Sequence, residues 1–380
     1  MSAEPRLGLY IHVPWCVRKC PYCDFNSHAF KGALPEDRYI DALLLDFESE
    51  VAHVGDRPIR TIFFGGGTPS LLAAESVARL LSGIRERACI ADDVEISLEA
   101  NPGTVERGRF AGYRAAGVNR LSLGAQTFGA RQLGLLGRIH SAPDVDAAVS
   151  EIRDAGISNF NVDLMYALPE QSLDEALRDV ATAVAFAPPH LSHYQLTLEP
   201  GTVFHTRPPA LPDEELADAI ETATRAALAE AGYRRYEVSA WAKPGAECRH
   251  NLNYWHYGDY LGIGAGAHGK RSLRGRIVRT ERPKGPKEYL AAVESGRPSE
   301  ARDIPPEERP FEFFLNALRL LDGFELAEFE ATTGLSIGVV EPALSRAQER
   351  GLLARTTTGW QPTSQGLRFL NDLHGLFLPT

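Results

Sequence analysis

The chain has 380 residues, 44% hydrophobic and 24% charged, an ordinary globular balance with enough length for two or three cores. A net charge of −10 argues against a general nucleic-acid binder, which needs a basic face, though it leaves room for a local basic patch. No apolar run approaches the ~20 residues that span a bilayer, and "MSAEPRLGLYIHVPW" lacks the basic start and apolar core of a signal peptide. A cytoplasmic protein without a transmembrane segment is therefore expected, with peripheral membrane contact left open.

Residues 1–205 alternate short apolar runs with helical patterns. The predicted strands are "LGLYIHV" (7–13), "RTIFFGG" (60–66), "VEISLEA" (94–100), "VNRLSLGA" (118–125), "NFNVDLMY" (159–166) and "HLSHYQL" (190–196). Several intervening helices end in a glycine stop, as in "YRAAGV" and "IRDAGI". Repeated strand–helix units imply a parallel sheet curled by right-handed crossovers, and six units predict an α/β fold built on a partial (β/α)6 barrel. Chemistry in such folds sits at the C-terminal ends of the strands.

Residues 206–300 form an extension that opens Pro-rich and becomes rich in glycine and aromatics. Residues 301–380 read as three helices, a short hairpin ("LLARTTTGWQPT") and a closing helix, the outline of a winged-helix-like α+β domain. From residue 306 onward it carries ten Asp/Glu against six Arg and no Lys, which favours a structural or protein-contact role over DNA recognition.

Three of the five cysteines, Cys16, Cys20 and Cys23, fall within eight residues of "YIHVPWCVRKCPYCDFNSH". An odd count in a reducing compartment is no disulfide framework. A structural zinc site normally closes with four ligands, and no second pair follows. A redox C-x-x-C pair leaves Cys16 unexplained. An iron–sulfur cluster accepts thiolates at this spacing, and three in place of the usual four leave one iron open to an outside ligand.

Further polar residues fall at or just after successive strand ends. Gly66, Gly67 and Thr68 lie in "FFGGGTPS", Glu99 in "LEANPGT", Gln126 in "GAQTF", Arg138 in "LGRIH" and Asp163 in "NVDLMYALP". Each alone reads equally well as a cap or a surface ion pair. Their recurrence at the same end of the sheet is what favours a site.

The C-x3-C-x2-C spacing after a first strand, with Tyr22 before the last cysteine, resembles the radical S-adenosylmethionine superfamily. That resemblance implies a [4Fe–4S] cluster on Cys16, Cys20 and Cys23, whose open iron is chelated by S-adenosylmethionine. Electron donation from the cluster then cleaves the sulfonium to a 5′-deoxyadenosyl radical. Tyr10, Tyr22, Gly66, Gly67, Thr68, Glu99, Gln126, Arg138 and Asp163 become the expected S-adenosylmethionine residues. Together with "HNLNYWHYGDYLGIGAGAHGK", the motifs look like the family of oxygen-independent coproporphyrinogen III oxidase and its relatives, the HemW heme chaperones. The resemblance spans essentially the whole chain.

Two departures from the oxidase stand out. Phe25 occupies the position of its additional cysteine, and Cys16 lies almost at the start of the chain. Both follow the chaperone pattern, so decarboxylation of coproporphyrinogen is not expected. The resemblance also marks H-N-x-x-Y-W, and so His250, as the heme ligand, flanked by Tyr254 and Trp255. Cys248 is a second heme-reactive candidate, although a quiet thiol is the plainer reading, and Cys89 is read as inert. His268 is kept as a contact only. The expected cofactors and partners are a [4Fe–4S] cluster, S-adenosylmethionine, heme and acceptor hemoproteins. The alternatives are the oxidase itself and a winged-helix nucleic-acid-binding regulator.

Overall fold

Six parallel strands run in chain order across the centre of a twelve-stranded sheet: β1 (Leu7–Val13), β2 (Ile59–Gly66), β3 (Ile90–Ala100), β4 (Arg120–Gln126), β5 (Asn159–Tyr166) and β6 (His190–Gln195). The computed structural model describes residues 6–30, 32–103, 108–273 and 275–379. Helices Glu36–Val51, Ala74–Arg87, Phe110–Ala116, Ala142–Asp154 and Leu173–Ala185 connect successive strands. Strands that neighbour in sequence also neighbour in space, which is the topology that crossover connections of this length permit.

Local chemistry explains why these segments stop and start where they do. Helices Ala142–Asp154 and Leu173–Ala185 open with capping boxes, Ser141 with Asp144 and Ser172 with Glu175. Such caps contribute about 1 kcal/mol each. Gly117 ends helix Phe110–Ala116 at φ 116°, a left-handed conformation that side-chain-bearing residues avoid. All seven residues of β4 are buried, because the strand lies between helices on one face and the barrel interior on the other.

The extension does not form a layer of its own. Strand Asp259–Ile263 pairs parallel with β1, Leu7 opposite Asp259 and Ile11 opposite Ile263. Strands His268–Leu273, Arg276–Glu281 and Glu300–Ile304 then continue that edge antiparallel. At the other edge, Ala240–Ala242 pairs antiparallel with β6 and with Arg234–Arg235. A buried ion network secures the first edge: Arg282 meets Asp46 at 3.0 Å and Glu50 at 2.8 Å. Tyr289 donates to Asp46 at 3.0 Å.

Beyond residue 304, helices Arg309–Ala317, Leu326–Thr333 and Glu341–Glu349 pack with a three-stranded sheet whose hairpin is Leu353–Arg355 and Gly359–Pro362. This is the winged-helix-like arrangement. Its core of Phe313, Phe314, Phe324, Phe329 and Leu344 also takes in Tyr257, Ile277 and Ile304 from the first sheet edge. Arg319 reaches the segment at the other edge, pairing with Glu237 at 3.0 Å. The C-terminal domain therefore touches both ends of the open sheet. No helix among the described residues is long and apolar enough to cross a membrane.

Candidate functional site

The period-two alternation of a strand points every second side chain into the barrel. Ser122, Gly124 and Gln126 of β4, Asp163 of β5 and Ser192 and Tyr194 of β6 accordingly line one cavity of about 600 Å³. Cys16, Cys20 and Cys23 form its outer wall, with Tyr22, Gly66, Gly67, Thr68, Glu99 and Arg138 completing the lining. The structure thus gathers onto one surface eleven of the thirteen residues expected to hold the cluster, S-adenosylmethionine or the heme iron, all but Tyr10 and His250.

The cysteine loop is held by backbone bonds. His28 N–H donates to Pro14 at 2.7 Å, Phe30 N–H to Cys16 at 2.9 Å and Cys23 N–H to Cys20 at 3.2 Å. The glycine loop after β2 docks under it, Gly67 N–H donating to Val13 at 2.7 Å and Thr68 N–H to Trp15 at 2.8 Å. This close approach dictates the glycines. A Cβ on Gly67 would lie 2.5 Å from the Trp15 carbonyl oxygen, and one on Gly66, at φ +111°, 2.5 Å from the His12 ring.

Each thiol has a polar neighbour. Thr68 Oγ1 donates to Cys16 Sγ at 3.4 Å and itself accepts from the Asn101 amide at 3.0 Å. Arg138 Nη1 points at Cys20 Sγ from 3.9 Å, and Cys23 Sγ lies 3.6 Å from Ser27 Oγ. All three thiols are half-buried. Burial pushes the Cys16 and Cys23 thiols up, against the bonds from Thr68 and Ser27 respectively. Among the described residues no three ligating side chains converge on one ion. Three thiols facing a common space, each beside a hydrogen-bonding group, suit the donor set of an iron–sulfur cluster better than that of a closed mononuclear site.

The carboxyls behind them are half-buried at the cavity wall and costly to ionise. Glu99 is pushed up to about 8 by burial and then by Asp163, although the Gly66 N–H bond opposes the rise. Burial likewise raises Asp163 against hydrogen bonds from Ser192, Asn161 and Ser122. Arg138 supplies the opposing charge. Its burial works to lower its pKa, but Tyr22 and Cys20 beside it prevail and leave it raised. It is fixed by Asn101 and the Gly124 carbonyl, both at 2.6 Å. Gln126, at φ 67°, accepts from Tyr194 at 2.7 Å. A small cationic ligand would relieve the two carboxyls together.

Two expectations meet a different geometry. Tyr10 lines a second cavity of about 620 Å³ beyond Gly66 and Glu99, and its hydroxyl sits 3.0 Å from His12 Nδ1. His250 lies in the interior at 1% exposure, its ring stacked on Phe63. Both of its nitrogens are engaged, Nδ1 with Thr61 at 2.8 Å and Nε2 with Tyr254 at 2.9 Å. Burial and the charge of Arg120 push its pKa down to about 3. Ligating an iron would require one of these bonds to break. Cys248 is also buried, and its thiol is pushed up to about 11, as a quiet thiol would be. Cys89 is exposed at the end of a connecting turn.

Sequence reasoning missed Asn101, Ser122, Ser192 and Tyr194, although the first lies inside a quoted motif and the others follow the two-residue alternation. It also missed Trp255 and Arg319 as cavity residues, with the Arg319 guanidinium 4.4 Å over the Trp255 ring. Nothing local announces an arginine arriving from another domain. Thr104, the last residue of "LEANPGT", lies outside the described residues.

Comparison with known proteins agrees with this architecture. The radical SAM superfamily model matches residues 10–183, and the HemN C-terminal domain model matches residues 304–369. Coproporphyrinogen III oxidase (HemN) from Escherichia coli superposes with a TM-score of 0.83 over 98% of this chain and 90% of that one. At 23% identity it shows the fold alone. The heme chaperone HemW of Escherichia coli K12 is 50% identical over the full length of both chains. That of Haemophilus influenzae is 48% identical over 100% of this chain and 99% of its own. With a radical SAM barrel, a HemN-type C-terminal domain and full-length identity at this level, the chain belongs to the HemW heme chaperone family.

Proposed function

We propose that this protein holds a [4Fe–4S] cluster on Cys16, Cys20 and Cys23 with S-adenosylmethionine beside it, binds heme, and passes that heme to acceptor hemoproteins. One arrangement carries the reading. The cavity walled by the three thiols shares Phe25, Ser27, Gly66 and Glu99 with the second cavity, which is walled by tyrosines, histidines and lysines.

Cys16, Cys20 and Cys23 would hold the cluster, which when bound and reduced would supply an electron to the sulfonium of S-adenosylmethionine. The chain's own residues prepare the space for it. Gly66 and Gly67 leave backbone bare for close approach, Glu99 and Asp163 offer carboxyls to positive groups, and Arg138 offers a fixed cation to a carboxylate. Thr68, Ser27 and Arg138 direct hydrogen-bonding groups at the sulfurs, which favours the thiolate form a metal requires. Arg319, stacked over Trp255 of the extension, brings the C-terminal domain to the cavity wall.

Phe25 separates this reading from oxidative decarboxylation. It stands 61% exposed between the two cavities, an apolar ring with no capacity to ligate or to transfer a proton. The acidic balance of the C-terminal domain speaks for protein partners over nucleic acid, and a cytoplasmic location follows from the same reading. Anaerobic reconstitution followed by parallel assays tests the assignment. Hemin binding without protoporphyrinogen production is expected, and protoporphyrinogen at an enzyme-like rate would favour the oxidase reading.

A further inference from the structure

We infer that the heme iron is ligated by His268, in the second cavity, and that His250 acts from beneath by positioning Tyr254. The inference rests on the heme-carrier reading above and assigns its binding site.

A porphyrin needs a flat apolar wall, cations for its two propionates and a neutral imidazole with an uncommitted nitrogen. The second cavity, of about 620 Å³, offers all three and lies within the ~300–1,000 Å³ typical of small-molecule sites. Phe25 presents its exposed ring on one side, while Tyr254 and Tyr260, edge to face at 4.5 Å, close another. Lys19 and Lys284 are exposed at its margin and can pair with carboxylates. Asp24 and Glu99 also line the cavity, so the positive character is confined to the two lysines.

The histidines separate by what their rings already do. His12 is committed to Tyr10 at 3.0 Å and to the Asn26 carbonyl at 2.8 Å. Nε2 of His28 lies 3.2 Å from Asn26 Oδ1 and 3.3 Å from the Lys284 carbonyl. His250 is buried with both nitrogens engaged. Among these histidines His268 alone has no partner within hydrogen-bond range: Glu281 lies 3.7 Å away, Arg279, Lys284 and Arg282 are the other charges around it, and its side chain is 57% exposed. Partial burial lowers its pKa against the pull of Glu281, which favours the neutral imidazole that iron accepts. His250 reaches the same cavity indirectly, through its 2.9 Å bond to the Tyr254 hydroxyl.

Hemin titration of the reconstituted full-length chain tests this by optical difference spectra and electron paramagnetic resonance. Wild type should show an imidazole-ligated ferric signature, which His268→Ala should lose and added imidazole should restore. His250→Ala should keep the signature while binding hemin about tenfold more weakly, as loss of a supporting hydrogen bond near a metal does. Iron and sulfide contents equal to wild type in both variants would show that each is folded. An unchanged signature in His268→Ala, or its loss in His250→Ala alone, would overturn the assignment while leaving the carrier reading intact. No hemin binding by wild type would end that reading itself.

Discussion

Glu99 Oε2 accepts a hydrogen bond from the backbone N–H of Gly66 at 3.2 Å, joining the end of β3 to the glycine loop after β2. That bond favours the ionised carboxylate, but burial and Asp163 outweigh it and hold the group at about 8. The folded chain therefore binds a proton more tightly than the unfolded one. Stability attributable to Glu99 is present below its unfolded value near 4.5 and is lost as pH rises toward about 8. Denaturant midpoints of the cofactor-free chain should fall across that window, and Glu99→Gln should flatten the fall. An identical pH dependence in the two proteins would refute the placement of this carboxyl.

Glu99 and Asp163 should also matter to ligand binding. Glu99→Ala and Asp163→Ala are expected to weaken S-adenosylmethionine binding by about tenfold or more, since hydrogen bonds to charged groups contribute about 1.5–3 kcal/mol. Iron content should stay close to wild type, because neither residue is a thiol neighbour. Calorimetric titration reads the first effect and metal analysis the second.

The contact between Gly67 and Trp15 gives a sharper structural test. Gly67→Ala puts a methyl group 2.5 Å from the Trp15 carbonyl, and Trp15–Cys16 is the short strand that carries the first thiol. Overpacking of this kind costs about 1–3 kcal/mol, and here the displacement falls on the cysteine loop. The variant should fold, judged by circular dichroism, yet lose most of its iron and sulfide after reconstitution.

Much of the site was legible because its signals are local. Thiol spacing, strand-end polar residues and two-residue alternation each belong to a short stretch of chain, and they lead to Cys16, Gly67, Glu99, Gln126 and Asp163 on one cavity. The environment of His250 was not legible, because Thr61, which binds its ring, is 189 residues away. The edge strands were equally hidden. Asp259–Ile263 is short and glycine-interrupted, and its identity as a strand depends on β1, at the opposite end of the chain. Arg319 reaches the cavity only because the C-terminal domain packs against both sheet edges.

The buried network at Arg282 predicts a different outcome, confined to stability. Its guanidinium meets Asp46 and Glu50 with every partner buried, so truncation strands Asp46 without a cation in the interior and leaves Glu50 with Arg271 alone, at 3.3 Å. Arg282→Ala should destabilise the chain by about 3–5 kcal/mol. Arg38→Ala, which removes an exposed pairing with Glu294, should change stability by about 1 kcal/mol or less. Urea denaturation of both variants checks the contrast.

The central claim is that this chain carries heme and gives it up to a protein, and heme transfer tests it most directly. Heme-loaded protein, mixed with an apo-hemoprotein across a gel-filtration step, should return an acceptor bearing the absorbance of its holo form. The donor should lose heme in equal measure. Heme retained on the donor, or an acceptor filled no faster than by free heme, would contradict the account.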